Sequence, residues 1–300
     1  MPVYNGARFV RHAIEAVLDQ TFYDFELIIS DNASSDGTYE ICQEYARSDR
    51  RIRLSRHAEQ IGAARNYNST FTAARGAYFK WAAHDDVIAP TFLDSCLRVL
   101  RAAPAGVVLC APRTLLIDES GKAIGTYDHD LYLHERRPHE RVLSLVRRLR
   151  LCNVLCGLIR SQVLRTTGLI GSYAASDKVL LTELAMRGRF WCVDEPLFLR
   201  RMHMERSRAR FREAADAARW FDPTSTRRVF QHQDLLLSFH QVRAAALAPI
   251  APHERGLCAL ILAAGGMTRL KAHALRSLQQ AVANVHRGEP SPIAVGVTGA

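Results

Sequence analysis

The sequence predicts an α/β protein whose mixed, mostly parallel sheet is flanked by helices and followed by a helical C-terminal extension. Three observations carry this reading. Helical and strand periodicities alternate between residues 7 and 110, the short apolar runs have the composition of strands buried on both faces, and helical periodicity alone persists after residue 226. A length of 300 residues, 48% hydrophobic and 23% charged, allows one large domain or two small ones. The same composition excludes collagen-like, coiled-coil and wholly disordered classes.

Taken in order, 7–20 is a helix, because Phe9, Val10, Ala13, Ile14, Val17 and Leu18 recur at helical spacing. Residues 25–30 form a nearly continuous apolar run, the pattern of a buried parallel strand. A helix over 38–48, a strand over 51–57, a helix over 63–75, a strand over 77–82, a helix over 91–103 after Pro90 and a strand over 107–110 continue the alternation. Such repeats predict right-handed crossovers and a sheet covered on both faces. Past residue 110 the regularity breaks, and 113–117 and 123–127 flank the turn 118–122 as a hairpin. Residues 141–150 form an amphipathic helix with a basic face. Residues 176–187 form another, with Ser176 as its cap and Gly188 at its end. Helices over 226–247 and 253–286 are separated by Pro249 and Pro252, and 289–300 reads as a mobile tail. Only Met1 to Tyr4 precede the Asn5-Gly6 turn, so the first strand is expected to be truncated, with a gap beside the ligand pocket.

Forty basic against thirty acidic residues give a net charge of +10 and favour anionic partners. Nucleic acid is not among them, because the arginines are spread through helices without interleaved aromatics and no nucleic-acid-binding motif is visible. The basic helices fit contact with anionic lipid instead. Seven scattered cysteines, without zinc spacing, read as reduced thiols of a cytoplasmic protein, with Cys152 and Cys156 in the core. The best apolar run, 256–264, falls short of the roughly 20 residues of a spanning helix.

Ligands of open α/β sheets bind beyond the carboxyl ends of the strands. Three such places are rich in polar residues: 31–38, 60–66, and His84-Asp85-Asp86. Adjacent carboxylates make a hard oxygen site for Mg²⁺ or Mn²⁺, with coordination positions left for phosphate oxygens. Taken alone, the same pair also reads as a turn or a helix cap. Asp177 in a first helical turn is favoured by the helix dipole with or without a chemical duty. His203 unaided reads as a surface or core histidine. Arg200, Arg201, Arg206, Arg208 and Arg210 suit either a diphosphate or a solvated basic face.

Read together, the segments are more specific. Pro2-Val-Tyr-Asn-Gly6, Gln20-Thr-Phe22, Phe25-Glu-Leu-Ile-Ile29, Asp31-Asn-Ala-Ser-Ser-Asp-Gly-Thr38, Gly62-x-x-Arg65-Asn66, Ala74-Arg-Gly-Ala-Tyr78 and His84-Asp-Asp86 follow in the order and spacing of family 2 glycosyltransferases of the GT-A fold. The chain resembles that family strongly over 1–112 and more thinly through Ser176-Asp177-Lys178 to Arg200-Arg-Met-His203.

The resemblance implies a glycosyltransferase domain over 1–210, with a nucleotide-sugar half (1–112) and an acceptor half (113–210), then a helical extension (211–288) and the tail. It implies that Pro2, Tyr4, Asp31 and Asn32 hold base and ribose, with Arg65 near the base. Asp85 faces ribose or metal, Asp86 binds Mg²⁺ or Mn²⁺ bridging the diphosphate, His203 adds a metal contact, Arg201 meets the substrate, and Asp177 is the general base. The implied reaction is inverting, metal-dependent transfer of a sugar from a nucleotide-diphospho-sugar to a saccharide or lipid-linked saccharide, in cell-surface polysaccharide or glycolipid synthesis. Three departures stand out: Asn32 replaces a second Asp, His84 replaces the first Asp of a longer acidic string, and Ser176 replaces a Glu before Asp177. They motivate an alternative, a catalytically silent relative that binds nucleotide or carbohydrate. Self-association is left open.

Overall fold

The computed structural model describes residues 1–204, 214–223 and 233–268. Strand and helix alternate through β1 (Pro2–Val3), α1 (Val10–Leu18), β2 (Leu27–Asp31), α2 (Thr38–Ser48), β3 (Ile52–Arg56), α3 (Ala63–Thr72), β4 (Tyr78–Phe79), β5 (Val87–Ile88) and α4 (Phe92–Ala102). There follow β6 (Val107–Ile117), β7 (Ala123–Thr126), α5 (Pro138–Arg148), a 3-10 turn (Asn153–Cys156), β8 (Leu158–Arg160), α6 (Ser161–Leu164), α7 (Ser176–Arg187) and β9 (Arg189–Arg201). The helices α8 (Ala214–Phe221), α9 (Gln233–Leu247) and α10 (252–268) come last.

Two sheets result. Strands β1, β2 and β3 are parallel in that order, with Val3 opposite Asp31 and Asp31 opposite Arg56. The second sheet runs β4-β8-β6-β9-β5, with β7 paired to β6; β6 and β9 are parallel and the other pairs antiparallel. All five residues of β2 are buried, which is why the segment reads as a continuous apolar run. The amphipathic face of α1 (Val10, Ala13, Ile14, Val17) packs with Ile29, Phe92, Leu100 and Val107. Trp81, Leu109, Leu133, Ile159, Leu180 and Phe190 make a second core on the other side. A third cluster joins Val142 and Val179 to Leu237, Ala245, Cys258 and Leu262, so the C-terminal helices dock on α5 and α7.

The structure departs from the sequence reading in several places. Strand β4 has two residues rather than six, β6 continues through the first arm of the 118–122 hairpin, and β5, β8 and β9 come without a clear periodic signal. Ser176 does not cap α7. Ala175, at φ 63°, is the N-cap, while the Ser176 hydroxyl is buried without a partner. It is Asp177 Oδ1 that accepts from a first-turn amide, Lys178 N, at 2.9 Å. The helical stretches expected at 226–232 and 269–286, the tail 289–300 and Arg206, Arg208 and Arg210 lie outside the described residues.

A cavity lies beside the start of β2, at the opposite end of that strand from the polar loops where a gap was expected. It measures about 320 Å³ and is lined by Met1, Leu27, Ile28, Tyr78, Phe79 and Leu158 among others. It adjoins the start of β2, whereas Asp31 stands at that strand's far end. The carboxyl ends of the strands, where the polar loops gather, are therefore separate from it. No helix among the described residues is long and apolar enough to cross a membrane.

The basic face of α5 is only partly basic surface. Arg141 is buried and donates from Nε to Ala185 O (2.6 Å), from Nη2 to Met186 O (3.1 Å) and from Nη1 to Glu135 O and Arg136 O (3.0 and 2.7 Å). Its positive charge meets the carbonyl end of α7, where the helix dipole favours it. Replacing it strands these carbonyls, so Arg141→Met should cost about 3 kcal/mol and lower Tm by roughly 6–10 °C. The exposed Arg147→Met is the control and should shift Tm by no more than about 1 °C in the same thermal melts.

Candidate active site

Strand β5 pairs with β9 through Val87 opposite Leu199, and that register brings residues 85–86 alongside 201–203. The main-chain N–H of Arg201 donates to Asp86 Oδ1 (2.9 Å), and its side chain donates from Nε to Asp85 O (2.9 Å). Its Nη1 donates to Asp118 O and Glu119 O (3.1 and 2.9 Å), and the guanidinium lies over the Phe9 ring. Arg201 was expected to meet substrate. Here its guanidinium is committed to carbonyl oxygens of the 84–86 loop and of the β6–β7 hairpin, and the residue is buried. Two residues on, His203 Nε2 lies 3.0 Å from Asp85 Oδ2, its ring tilted against that of Phe9 and its Nδ1 buried without a partner.

These contacts split the two carboxyls. Burial pushes both pKa values up. At Asp85 the hydrogen bond with His203 and the charges of His84 and His203 outweigh burial and hold it low, at about 2. At Asp86 the adjacent Asp85 charge adds to burial and lifts it to about 7, against lesser pulls from Arg200, the Arg201 amide and Lys80. Asp85 still exposes 20% of its side chain.

The loops before α1 and α2 are stitched to this pair. A Cβ added at Gly6 would lie 2.2 Å from His84 Cδ2, so the 5–6 turn presses directly on the 84–86 loop. Gly6 N donates to Thr38 Oγ1 (2.8 Å), Asn5 N to Ser34 Oγ (3.0 Å) and Ala7 N to Asp36 Oδ2 (3.0 Å). Asp36 and Thr38 thus tie the turn down. Asp31 is fully buried, with Oδ2 3.3 Å from Arg56 Nε and Oδ1 lacking any partner. Asn32 Oδ1 accepts from Ile61 N (2.8 Å), so the oxygen expected for a base N–H pins the 60–62 loop instead. Pro2 is buried in β1, Tyr4 is half-buried and Arg65 is exposed.

The half-buried Tyr67 has its phenol pKa raised by burial, by Cys156 and by the charges of Asp85, Asp86 and Asp177. Cys152 is raised by burial and by Asp177, with which its thiol interacts, while Lys178 and Arg200 pull the other way. The two cysteines, expected in the core, are half-buried and pack against its clusters. Tyr67 and Cys152 escaped sequence reading, since a tyrosine on a helical apolar stripe and an isolated cysteine give no local signal.

Among the described residues, no group of three or more His, Cys, Asp or Glu side chains is arranged to hold a metal ion. Asp85 and Asp86 are nevertheless hard oxygen donors that lack sufficient positive charge, since Asp86 ionises only near neutrality.

Comparison with known proteins bears on the fold and the family. The first 349 residues of Staphylococcus aureus TarS, solved with UDP-GlcNAc, superpose over 87% of this chain and 70% of that fragment with a TM-score of 0.62 at 14% identity. The mannosyltransferase PcManGT of Pyrobaculum calidifontis, solved with GDP-Man and Mn²⁺, gives 0.51 over 92% and 79% at 16% identity. The fold is the GT-A fold. Residues 1–149 match the profile of glycosyl transferase family 2, and that part of the chain belongs to the family. Glycosyltransferase GlyG of Streptococcus pneumoniae serotype 4 is 28% identical over 109 residues, 36% of either protein. TuaG of Bacillus subtilis, whose provisional name refers it to teichuronic acid biosynthesis, is 36% identical over 85 residues, 28% of this chain and 34% of TuaG. The chain spans about a third of the length of these curated relatives.

A cation bound at Asp86 must displace its proton. Mn²⁺ affinity should therefore rise about tenfold per pH unit up to about 7 and level off above it, as measured by calorimetry between pH 5.5 and 8.5. The sign for stability is opposite without metal: a carboxyl lifted from 3.8 to about 7 costs stability progressively as pH rises through that interval. Added Mn²⁺ should accordingly raise Tm more at pH 8 than at pH 5.5, and a pH-independent shift would contradict this site.

Proposed function

We propose that the protein is an inverting, metal-dependent glycosyltransferase that moves a sugar from a nucleotide-diphospho-sugar to a saccharide or lipid-linked saccharide acceptor. The observation that carries this is the carboxyl pair Asp85 and Asp86, clasped at a strand end by Arg201 and His203 and pressed by the 5–6 turn that is tied to the 34–38 loop. Family membership of 1–149 and the UDP-GlcNAc and GDP-Man complexes of the fold's relatives support the donor class. The Mn²⁺ of PcManGT supports the metal.

On this reading the donor residues lie in 1–112 and the base in 113–210. The unpartnered Asp31 Oδ1 accepts from the nucleotide, with Pro2, Tyr4 and Asn32 shaping its pocket and Arg65 at the rim. Asp86, with Asp85 behind it, holds Mg²⁺ or Mn²⁺, and His203 keeps Asp85 ionised. The metal, when bound, offsets charge on the diphosphate. Asp177 takes the proton of the acceptor hydroxyl from the side opposite the leaving group, which inverts C1. A cytoplasmic location, with the acceptor reached at the inner face of a membrane in cell-surface polysaccharide or glycolipid synthesis, completes the proposal. The naming of TuaG points the same way.

The test is transfer from a panel of UDP-, GDP- and dTDP-sugars with Mn²⁺. Asp177→Asn should lower kcat by about 10²–10⁴-fold with donor affinity retained, while Asp86→Ala should lose both. Donor binding without turnover by the unaltered chain, across acceptors, would instead favour a silent binding relative.

A further inference from the structure

Helices α9 and α10 are fixed by their inner faces. Leu237, Ala245, Cys258 and Leu262 are buried against Val142 of α5 and Val179 of α7. Gln241 Nε2 donates to Thr182 Oγ1 of α7 at 2.9 Å. Glu254 Oε2 accepts from the main-chain N of His139 in α5 at 3.1 Å and lies 2.8 Å from its Nδ1. Their outer faces are apolar as well. Six of the nine large apolar side chains exposed among the described residues belong to these two helices: Leu235, Phe239 and Leu247 on α9, and Leu257, Leu260 and Met267 on α10. Phe239, Leu247 and Leu260 are 63%, 70% and 69% exposed. With the exposed Arg243, the α9 residues fall at 235, 239, 243 and 247 and make one row along the helix. With the exposed Ala264, the α10 residues at 257, 260 and 267 make another.

A surface helix ordinarily turns charged and polar residues outward, and apolar rows in their place mark a surface that meets something other than water. Charge decides what that is. Between Asp234 and Glu289 the sequence holds one carboxylate side chain, Glu254, which is 7% exposed and engaged with His139. The same stretch carries Arg243, Arg255, Arg269, Lys271, Arg276 and Arg287. Its partner is therefore anionic as well as apolar. Arg243 suits both demands, since its stem covers apolar surface while its guanidinium reaches past it. A second copy of this chain answers only the apolar demand. Paired about a two-fold axis, each face would bring its arginine toward the other's, and among the described residues neither helix exposes a carboxylate to offset them. Neither helix is long and apolar enough to cross a bilayer, so a membrane is met at its surface.

We propose that α9 and α10 lay this outer face on an anionic bilayer. Phe239, Leu247, Leu260 and Met267 enter the boundary between headgroups and acyl chains, and Arg243 lies among the headgroup phosphates. This gives a surface to the membrane location proposed above, and it rests on that part of the reading rather than on the sugar-transfer chemistry. Helix α7, which carries Asp177 in its first turn, packs directly beneath the two helices. A protein seated in this way holds the proposed base on the layer next to the lipid, the side from which a lipid-linked acceptor arrives.

Flotation of the full chain with lipid vesicles at low salt tests the surface. The protein should rise with phosphatidylcholine vesicles that contain phosphatidylglycerol, and bind phosphatidylcholine alone at least about tenfold less. Phe239→Ser with Leu260→Ser should weaken binding about tenfold or more, and Arg243→Gln about fivefold. Tm should stay within about 1 °C in each, because these side chains already face water. Should the first pair fail to fold, Leu247→Ser with Met267→Ser decides by the same comparison. No binding to the anionic vesicles, equal binding to both compositions, or binding that these substitutions leave unchanged overturns the proposal. A dimer in lipid-free sedimentation that Phe239→Ser with Leu260→Ser dissociates identifies a second copy as the occupant and overturns it too. Transfer to a soluble saccharide by the same variant should stay within about twofold of the unaltered chain. Vesicle binding without transfer by the unaltered chain removes the glycosyltransferase reading alone, and transfer without vesicle binding removes this surface alone.

Discussion

Two carboxyl groups on consecutive residues, Asp85 and Asp86, sit where burial and mutual repulsion both oppose their ionisation. At an effective dielectric of 20, two like charges 4 Å apart repel by about 4 kcal/mol. What holds them in place is the end of β9, through one amide, one guanidinium and one imidazole. That clasp also reaches Asp118 and Glu119 of the β6–β7 hairpin and the ring of Phe9 ahead of α1. Segments more than a hundred residues apart are thereby brought to one point, and most of the polar geometry of the site is set by it.

Much of the first half was legible in the sequence because its physics is local. Helix α2 falls where the spacing put it, Thr38–Ser48, and the 25–30 run overlaps β2, whose buried Leu27, Ile28 and Ile29 supply its apolar stretch. The loops that end those strands are where chain topology requires a site, and residues 31, 85 and 86 were found for that reason. Strand β9 was less legible. Its 13 residues mix buried, half-buried and exposed positions, and its pairing with β6 is interrupted by register shifts, so no period of two survives. Strand β8 is three residues long, too short for any pattern to emerge.

The same cause explains the residues that changed roles. Arg200 and Arg201 are indistinguishable in the sequence, yet pleating sends one toward Asn153 and the other toward Phe9. Asn32 looks like a ligand for a base until Ile61 N, 29 residues away, is found on its oxygen. Arg141 belongs to a basic stripe in the sequence and to the carbonyl end of α7 in the fold. In each case the residue type fixed what the side chain is able to bond, and tertiary contacts decided which partner it met. Ser176 is the converse: a residue type suited to capping, left without a partner because the backbone turns at Ala175 and Asp177 reaches the amide first.

Charge balance links the separate parts of the proposed site. Asp85, Asp86 and Asp177, when ionised, carry three negative charges, and a nucleotide-diphospho-sugar brings about two more. Against them stand Arg200, Lys80, whose own charge is disfavoured by burial, and a histidine already engaged with Asp85. On the proposed reading a divalent ion would add positive charge beside these carboxylates when the donor arrives. Without it, a proton on Asp86 relieves part of the repulsion, which is the state its raised pKa describes. Metal and proton therefore compete for one carboxylate, and donor binding is coupled to whichever wins. A diphosphate entering before the metal would meet three carboxylates with too little to offset them, so cation and donor are expected to bind with strong mutual reinforcement.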